Sequence, residues 1–219
     1  MTTWAVIPVK QLRESKRRLA HILSPEDRAG LIYRFLDDLL AVLNRAEGID
    51  RVLVVTADPA VRELAGHYAA EVINERYPAG LNAAVTLGVD YAARHGATAV
   101  LILPADLPFA RVEDIEGMIR PLTADRRPLT QRQSLSPDHR PLLAITGDET
   151  EQGTNALLLA PPRAFTFRYG PGSFQAHLAQ ATADGRTVHI INAPGLRFDL
   201  DTESDWLVYN GYLVMVADE

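Results

Sequence analysis

Residues 51–66 read RVLVVTADPAVRELAG, and their reading decides the fold. Arg51 to Thr56 is a short apolar run rich in β-branched residues, the pattern of a strand buried on both faces. Asp58-Pro59 follows at once. It supplies an N-cap carboxylate and then a proline at the first helical position, where the missing N–H is one the helix leaves unbonded anyway. The helix so opened ends near Gly66. A buried strand running straight into a capped helix is half of a parallel βαβ unit. The same order stands just upstream. Trp4 to Val9 (WAVIPV) is a buried strand, and beyond a basic loop Ser24-Pro25-Glu26-Asp27 gives a cap, a proline and first-turn acids. Leu31, Ile32, Phe35, Leu36, Leu39, Leu40 and Leu43 then recur at helical spacing, with Arg28, Arg34, Asp37 and Asp38 between them and Gly48 as the stop.

Downstream the alternation continues. Val72 and Ile73 mark a short third strand, and Gly80-Leu81-Asn82 opens a helix reaching about His95-Gly96. Ala99 to Leu103 is a fourth strand, running into Pro104-Ala105-Asp106-Leu107-Pro108. A helix is expected over about Val112 to Ile119. Residues 121–140 lose all period and turn rich in Pro, Ser, Arg and Gln, which reads as a long loop or lid. Leu142–Thr146 and Ala156–Leu159 read as strands about a polar turn. Ser173 begins a helix closed by Gly185, Thr187–Ile191 is a strand, Leu196–Asp201 is a last strand-like piece, and a helix follows from Thr202. The early βαβα order requires a mostly parallel sheet flanked by helices. The closer spacing of the later strands predicts mixed pairing or a β excursion near the active site. One α/β domain over all 219 residues is the economical architecture.

Composition narrows the chemistry. A hydrophobic share of 47% and a charged share of 23% belong to an ordinary globular chain. There is no cysteine, so disulfides, Cys-ligated zinc and a thiol nucleophile are excluded. The net charge of -6 argues against nucleic acid or an anionic membrane as partner, but leaves room for a local basic patch. No apolar run approaches the roughly 18 residues that span a bilayer. MTTWAVIPVK lacks the basic start of a signal peptide, so the expected location is the cytoplasm.

Ligands of open α/β sheets sit beyond the carboxyl ends of the strands. The loop after the first strand carries Lys10, Arg13, Lys16, Arg17 and Arg18. Such a cluster can neutralise a triphosphate and the charge on a transferring phosphoryl group. A solvated helix face has the same composition. Neither GxxxxGK[ST] nor GxGxxG occurs, which sets aside a Walker loop and a dinucleotide fingerprint. Asp106 stands just past the fourth strand, while Asp199 and Asp201, two apart in an extended piece, share one face. Three carboxylates from two strand ends could hold Mg²⁺, a hard cation that takes oxygen ligands and phosphates. Helix capping by Asp201 and an Asx turn at Asp106 are the plainer alternatives. Gly153-Thr154-Asn155 precedes a strand, and Gly170-Pro171-Gly172-Ser173 precedes a helix. The second string offers N–H groups and a hydroxyl to an anion, or simply an N-cap. The six histidines form no metal-spaced pair or triad and read as surface or packing residues.

In order along the chain stand IPVK (7–10), KRRLA (16–20), LSPEDR (23–28), VLVVTADP (52–59), GLNAA (80–84), LILPADLP (101–108), GTNALLL (153–159), YGPGSF (169–174) and FDLDT (198–202). Over about residues 4–206 the chain thereby resembles the 2-phospho-L-lactate/phosphoenolpyruvate guanylyltransferase family of coenzyme F-420 biosynthesis. The resemblance implies a nucleotidyltransferase fold with a Rossmann-like core. It implies that a phosphorylated three-carbon acid attacks the α-phosphate of GTP, giving a guanylylated acid and pyrophosphate. An Ala- and Arg-rich composition of bacterial cast favours phosphoenolpyruvate over 2-phospho-L-lactate as the acid. Carried over to matching positions, Asp106, Asp199 and Asp201 look like ligands of Mg²⁺. Thr154, Gly170 and Ser173 look like contacts to the acid, and Lys10, Lys16 and Arg18 like contacts to the triphosphate. Lys16, Arg18 and Asp106 are the catalytic candidates, and Gly80, Leu81 and Asn82 belong to the expected nucleotide pocket. The implied partners are GTP and the acid, with a homodimer and hand-off of product to the next enzyme of that pathway as further expectations. The acid's phosphate is already an ionised nucleophile, so charge neutralisation and in-line positioning suffice without a general base.

The chain departs from that family at residues 121–152, which look longer, with Glu149-Thr150-Glu151-Gln152 where the family carries more glycine. Acceptor access and dimer packing are what this segment bears on. Two other readings compete. One is a nucleotidyltransferase acting on a sugar phosphate or a molybdopterin-type cofactor, although Pro8-Val9-Lys10 stands where those carry a glycine-rich loop. The other is a nucleotide-binding regulator without turnover, against which the three aspartates speak.

Overall fold

The computed structural model describes residues 1–75, 79–124 and 141–217. Its strands are β1 (Thr3–Val9), β2 (Arg51–Thr56), β3 (Glu71–Asn74), β4 (Ala99–Ile102), β5 (Leu142–Gly147), β6 (Thr154–Ala160) and β7 (Thr187–Ile190). They form one sheet in the order β3-β2-β1-β4-β6-β5-β7. β1 pairs in parallel with β2 and β4, as do β2 with β3 and β5 with β7. The mixed pairing expected of the later strands is β6, which threads antiparallel between β4 and β5. The helices are α1 (Pro25–Arg45), α2 (Pro59–His67), α3 (Leu81–Arg94), α4 (Val112–Ala124), α5 (Ser173–Ala183), α6 (Pro194–Arg197) and α7 (Glu203–Ala217). No described helix is long and apolar enough to cross a membrane.

The caps read from sequence for α1 and α2 are in place. The Ser24 hydroxyl accepts from the Asp27 N–H at 3.1 Å. One oxygen of Asp58 accepts from Ala60 N–H at 2.9 Å, and the other accepts from Leu12 N–H at 2.9 Å. Asp58 thus starts α2 and also pins the basic loop that leaves β1. Alternation along the strands divides the core in two. On β1, Ala5, Ile7 and Val9 face a core shared with α1, α2 and α4, while Trp4 and Val6 face a second core under α3 and α5.

Three boundaries differ from expectation. The helix expected to end near Ile119 continues to Ala124, taking in residues 121–124 of the expected loop; the remaining 125–140 lie outside the described residues. The first helix ends at Arg45, and Gly48 (φ 91°) turns the chain after it. Leu196–Asp201 is not a strand. Pro194 starts the short α6, and Phe198–Asp201 joins no ladder. The alternation behind that expectation is nonetheless real. Leu196, Phe198 and Leu200 are buried in the first core, and Asp199 and Asp201 are half-buried on the other side. A period of two records burial, and a segment can bury one face without a neighbouring strand to bond.

Candidate active site

The strand order turns between β1 and β4, so a crevice opens beyond their carboxyl ends. Two clefts lie there. The first, of about 450 Å³, is lined by Lys10, Glu14, Lys16, Glu75 and Gly80 among others. The second, of about 410 Å³, is lined by Arg18, Thr154, Tyr169, Gly170, Ser173 and Asp199 among others. Pro8, Leu81, Pro104, Asp106 and Asp201 line both.

Lys16 lines the first cleft and bonds two residues of the shared wall. Lys10, Arg13, Arg17 and Arg18 are exposed, whereas the Lys16 side chain is 4% exposed. Its ammonium donates to the Asp106 carboxylate and, at 2.6 Å, to Asp201 Oδ1. Arg18 lies 3.5 Å from the other Asp201 oxygen. Burial alone would lower the Lys16 pKa, but Asp106 and Asp201 more than offset it and hold the ammonium above its usual range. Burial would likewise raise Asp201, and Lys16 outweighs it, so that carboxyl sits below its usual range. The capping alternative for Asp201 does not hold. Thr202 Oγ1 accepts from Asp205 N–H at 3.3 Å and Asp205 bonds back to Thr202 N–H at 2.6 Å, which leaves the Asp201 carboxylate to Lys16.

Asp199 is reached from α6, which is fixed by Gly195 N–H donating to Asp114 Oδ1 at 3.3 Å. Asn155 Nδ2 donates to Asp199 Oδ1 and to Arg197 O, each at 3.2 Å. Burial first and the Asp106 charge next push the Asp199 carboxyl up to about 6. Asp106, Asp199 and Asp201 suit a hard divalent cation by donor type: all three offer oxygen, and only Lys16 is buried against their charge. As they stand, no three His, Asp or Glu side chains among the described residues are close enough to surround an ion, and the Lys16 ammonium fills the gap between Asp106 and Asp201.

The second cleft gathers Thr154, Gly170 and Ser173, as the sequence placed them together. Gly170 (φ 130°) and Gly172 (φ 75°) fold the turn before α5. Ser173 is not the N-cap. Gly172 holds that position, and the Ser173 hydroxyl donates to Thr154 Oγ1 at 3.1 Å. His177, one turn along α5, bonds the same Thr154 oxygen at 3.1 Å. Sequence reading missed it as a packing residue; its spacing of four from Ser173 was the available signal. Glu75, Asn155 and Asp148 were missed as well. Asp148 shapes the cleft rim by accepting from the Gly153 N–H at 2.7 Å and the Gln152 N–H at 3.0 Å. Of the three residues expected in a nucleotide pocket, Gly80 and Leu81 line the first cleft and Asn82 lines neither. Its amide accepts from Tyr169 N–H at 2.7 Å and donates to Tyr169 O at 3.3 Å, strapping α3 to the loop before α5.

The family model for guanylyl transferases of the CofC-like type matches residues 3–126. A phosphoenolpyruvate guanylyltransferase of Rubrobacter xylanophilus is 40% identical over 94% of this chain and 92% of its own length. The chain belongs to the CofC-like guanylyl transferase family. Another relative, the 2-phospho-L-lactate guanylyltransferase of Methanothermobacter thermautotrophicus, is 30% identical over 94% of this chain and 82% of its own. The fold of this CofC-like chain is also that of a solved nucleotidyl transferase from Methanothermobacter thermautotrophicus, with a TM-score of 0.67 at 16% identity over 98% of this chain and 99% of that one.

Proposed function

We propose that this guanylyltransferase moves GMP from GTP to phosphoenolpyruvate and releases pyrophosphate. The resulting guanylylated acid has the chemistry required in coenzyme F-420 biosynthesis. The observation that carries the reading is the buried Lys16 ammonium, which lines the first cleft and bonds Asp106 and Asp201, two residues common to both clefts. The nucleotide takes the first cleft, between Lys10, Gly80 and Leu81, and the acid takes the second, against Thr154, Gly170 and Ser173. A phosphate oxygen of the acid attacks the α-phosphorus of GTP, and the bond from that phosphorus to the pyrophosphate oxygen breaks. Lys16 keeps its proton throughout, because two carboxylates hold it charged, so it acts as a fixed positive charge beside the reacting phosphate. Arg18 and Lys10, exposed at the rims, neutralise the flanking phosphates. A divalent cation held by Asp106, Asp199 and Asp201 would neutralise triphosphate charge when bound.

The acids that such relatives are named for share a phosphate and a carboxylate on three carbons; phosphoenolpyruvate and 2-phospho-L-lactate differ by one unsaturation, while 3-phospho-D-glycerate moves the phosphate to the third carbon and adds a free hydroxyl. Apolar-pocket differences of the size that separates the first two are worth ~1–3 kcal/mol. The test is therefore a panel: GTP and Mg²⁺ with phosphoenolpyruvate, 2-phospho-L-lactate or 3-phospho-D-glycerate, reading pyrophosphate release and product mass. Highest kcat/KM with phosphoenolpyruvate is expected. Release only with a sugar phosphate, or GTP binding with no release at all, would overturn the reading.

A further inference from the structure

His177 is fully buried, and both of its ring nitrogens are engaged. The backbone N–H of Arg168 points at Nε2 at 3.0 Å, and a backbone N–H can only donate. Nε2 is therefore the bare nitrogen, and Nδ1 carries the proton. Nδ1 then donates to Thr154 Oγ1 at 3.1 Å. The Ser173 hydroxyl lies 3.1 Å from the same oxygen. Between Thr154 and Ser173 there are two hydroxyl protons. One serves the bond between them, whichever way it runs. The other has no acceptor among the described residues, and both residues line the second cleft.

We propose that His177 is a positioning residue of the acceptor half-site: by donating to Thr154 it sets the Thr154–Ser173 pair to present its remaining O–H to an anionic oxygen of the bound acid. The inference rests on the reading that the second cleft takes the acid. With the Ser173 hydroxyl donating, Thr154 Oγ1 accepts from both His177 and Ser173, so its two lone pairs are used and its own O–H is the group left to donate. An ionised phosphate or carboxylate oxygen satisfies that O–H, and a ligand hydroxyl placed against Thr154 as donor does not. Burial first and the Arg168 charge next push the imidazole down to about 4, so at neutral pH it keeps one N–H and one lone pair. Phe165 and Tyr169 pack against the ring, with centroids 5.7 and 5.0 Å away, and hold its plane.

The experiment is a double-mutant cycle in the full chain, with GTP and phosphoenolpyruvate or whichever acid the panel shows to turn over. The variants are His177→Phe, His177→Asn, Thr154→Val and His177→Phe with Thr154→Val. Thr154→Val alone is expected to raise the KM for the acid by roughly ten-fold or more, as loss of a hydrogen bond to a charged group does, with the KM for GTP little changed. His177→Phe should do the same, and the double variant should be no worse than Thr154→Val. His177→Asn, which keeps an N–H near the Nδ1 position, should restore most of the acid KM. If His177→Phe does not fold, His177→Gln, whose amide reaches only the Nε2 position, replaces it. Effects of His177→Phe that add to those of Thr154→Val, or that fall equally on GTP and acid, would overturn the inference while leaving the half-site in place. A Thr154→Val enzyme with an unchanged acid KM, or a panel with no turnover, removes the underlying reading and the inference with it.

Discussion

Lys16 adopts a left-handed backbone conformation, φ 51° and ψ 42°, which costs a residue with a Cβ about 1–2 kcal/mol. Two ionic hydrogen bonds hold it there, so position and charge are set by the same contacts. Lys16→Gln keeps the reach and loses the charge. The expected outcome is a fall in kcat/KM of roughly 10²–10³-fold, as for loss of one preorganised donor at a developing negative charge. Initial rates of pyrophosphate release measure it, with circular dichroism to show retained fold, and activity within ten-fold of the parent would sink the role. His177 makes a separate claim, on stability. Its folded-state pKa is about 4 against 6.5 for the free group, so between those values the unfolded chain binds more protons. Its contribution is full above pH 6.5 and is lost as pH falls toward 4. The difference is on the order of 3 kcal/mol. Arg168 is the charged group that bears on it. Urea unfolding of the parent and of His177→Asn at pH 7, 5.5 and 4.5 should show the gap between them closing with acid. A constant gap would mean that the buried imidazole does not set this pH dependence.

Among the elements, α3 carries the wall common to both clefts, because Leu81 begins it. Its distance from the sheet is fixed at Gly88, where an added Cβ would meet Val6 Cγ1 at 2.6 Å and Val55 Cγ2 at 2.9 Å. Gly88→Ala gains about 1 kcal/mol of helix propensity, but overpacking against two β-branched strand residues costs ~1–3 kcal/mol. The net expectation is a lower urea midpoint and, because Gly80 and Leu81 move outward, a raised KM for GTP. A stabilised variant with parental KM would show that α3 can slide freely. The elements most legible in sequence were those with local punctuation. Ser24-Pro25 and Asp58-Pro59 place α1 and α2 because a cap and a proline act within a single turn. What local signals could not carry was partnership. Nothing in LRFDLD tells that no strand lies beside it, and nothing in GLNAA tells that Asn82 turns to Tyr169 rather than to the cleft. His177 was illegible for the same reason, since its partners Thr154 and Arg168 come from other parts of the chain. Lys16, one of five loop cations, was legible only as a member of a cluster; the fold chose which one to bury.

On the scale of the whole molecule, the turn in strand order between β1 and β4 brings three separate carboxylates to one place: Asp106 after β4, and Asp199 and Asp201 after α6. Lys16 alone is buried among them, and the two anionic substrates are to meet at this wall. Triphosphate and acid together bring several negative charges to a region whose own buried balance is already negative. With only Lys10, Lys16 and Arg18 to offset them, the two ligands should oppose each other unless a divalent cation joins. A nonhydrolysable GTP analogue at a hundred times its Kd stabilises by about 2.7 kcal/mol, and for a chain of 219 residues that is roughly 5–10 °C in Tm. In Mg²⁺ the analogue should give a shift of that size, and adding phosphoenolpyruvate should raise it further. In EDTA the analogue's shift should shrink to less than half, and the acid should add nothing or subtract, because the repulsion between the two ligands is no longer screened. Shifts equal in Mg²⁺ and EDTA would show that Asp106, Asp199 and Asp201 do not hold an ion with the nucleotide, and would leave the neutralisation to Lys16 and its neighbours alone.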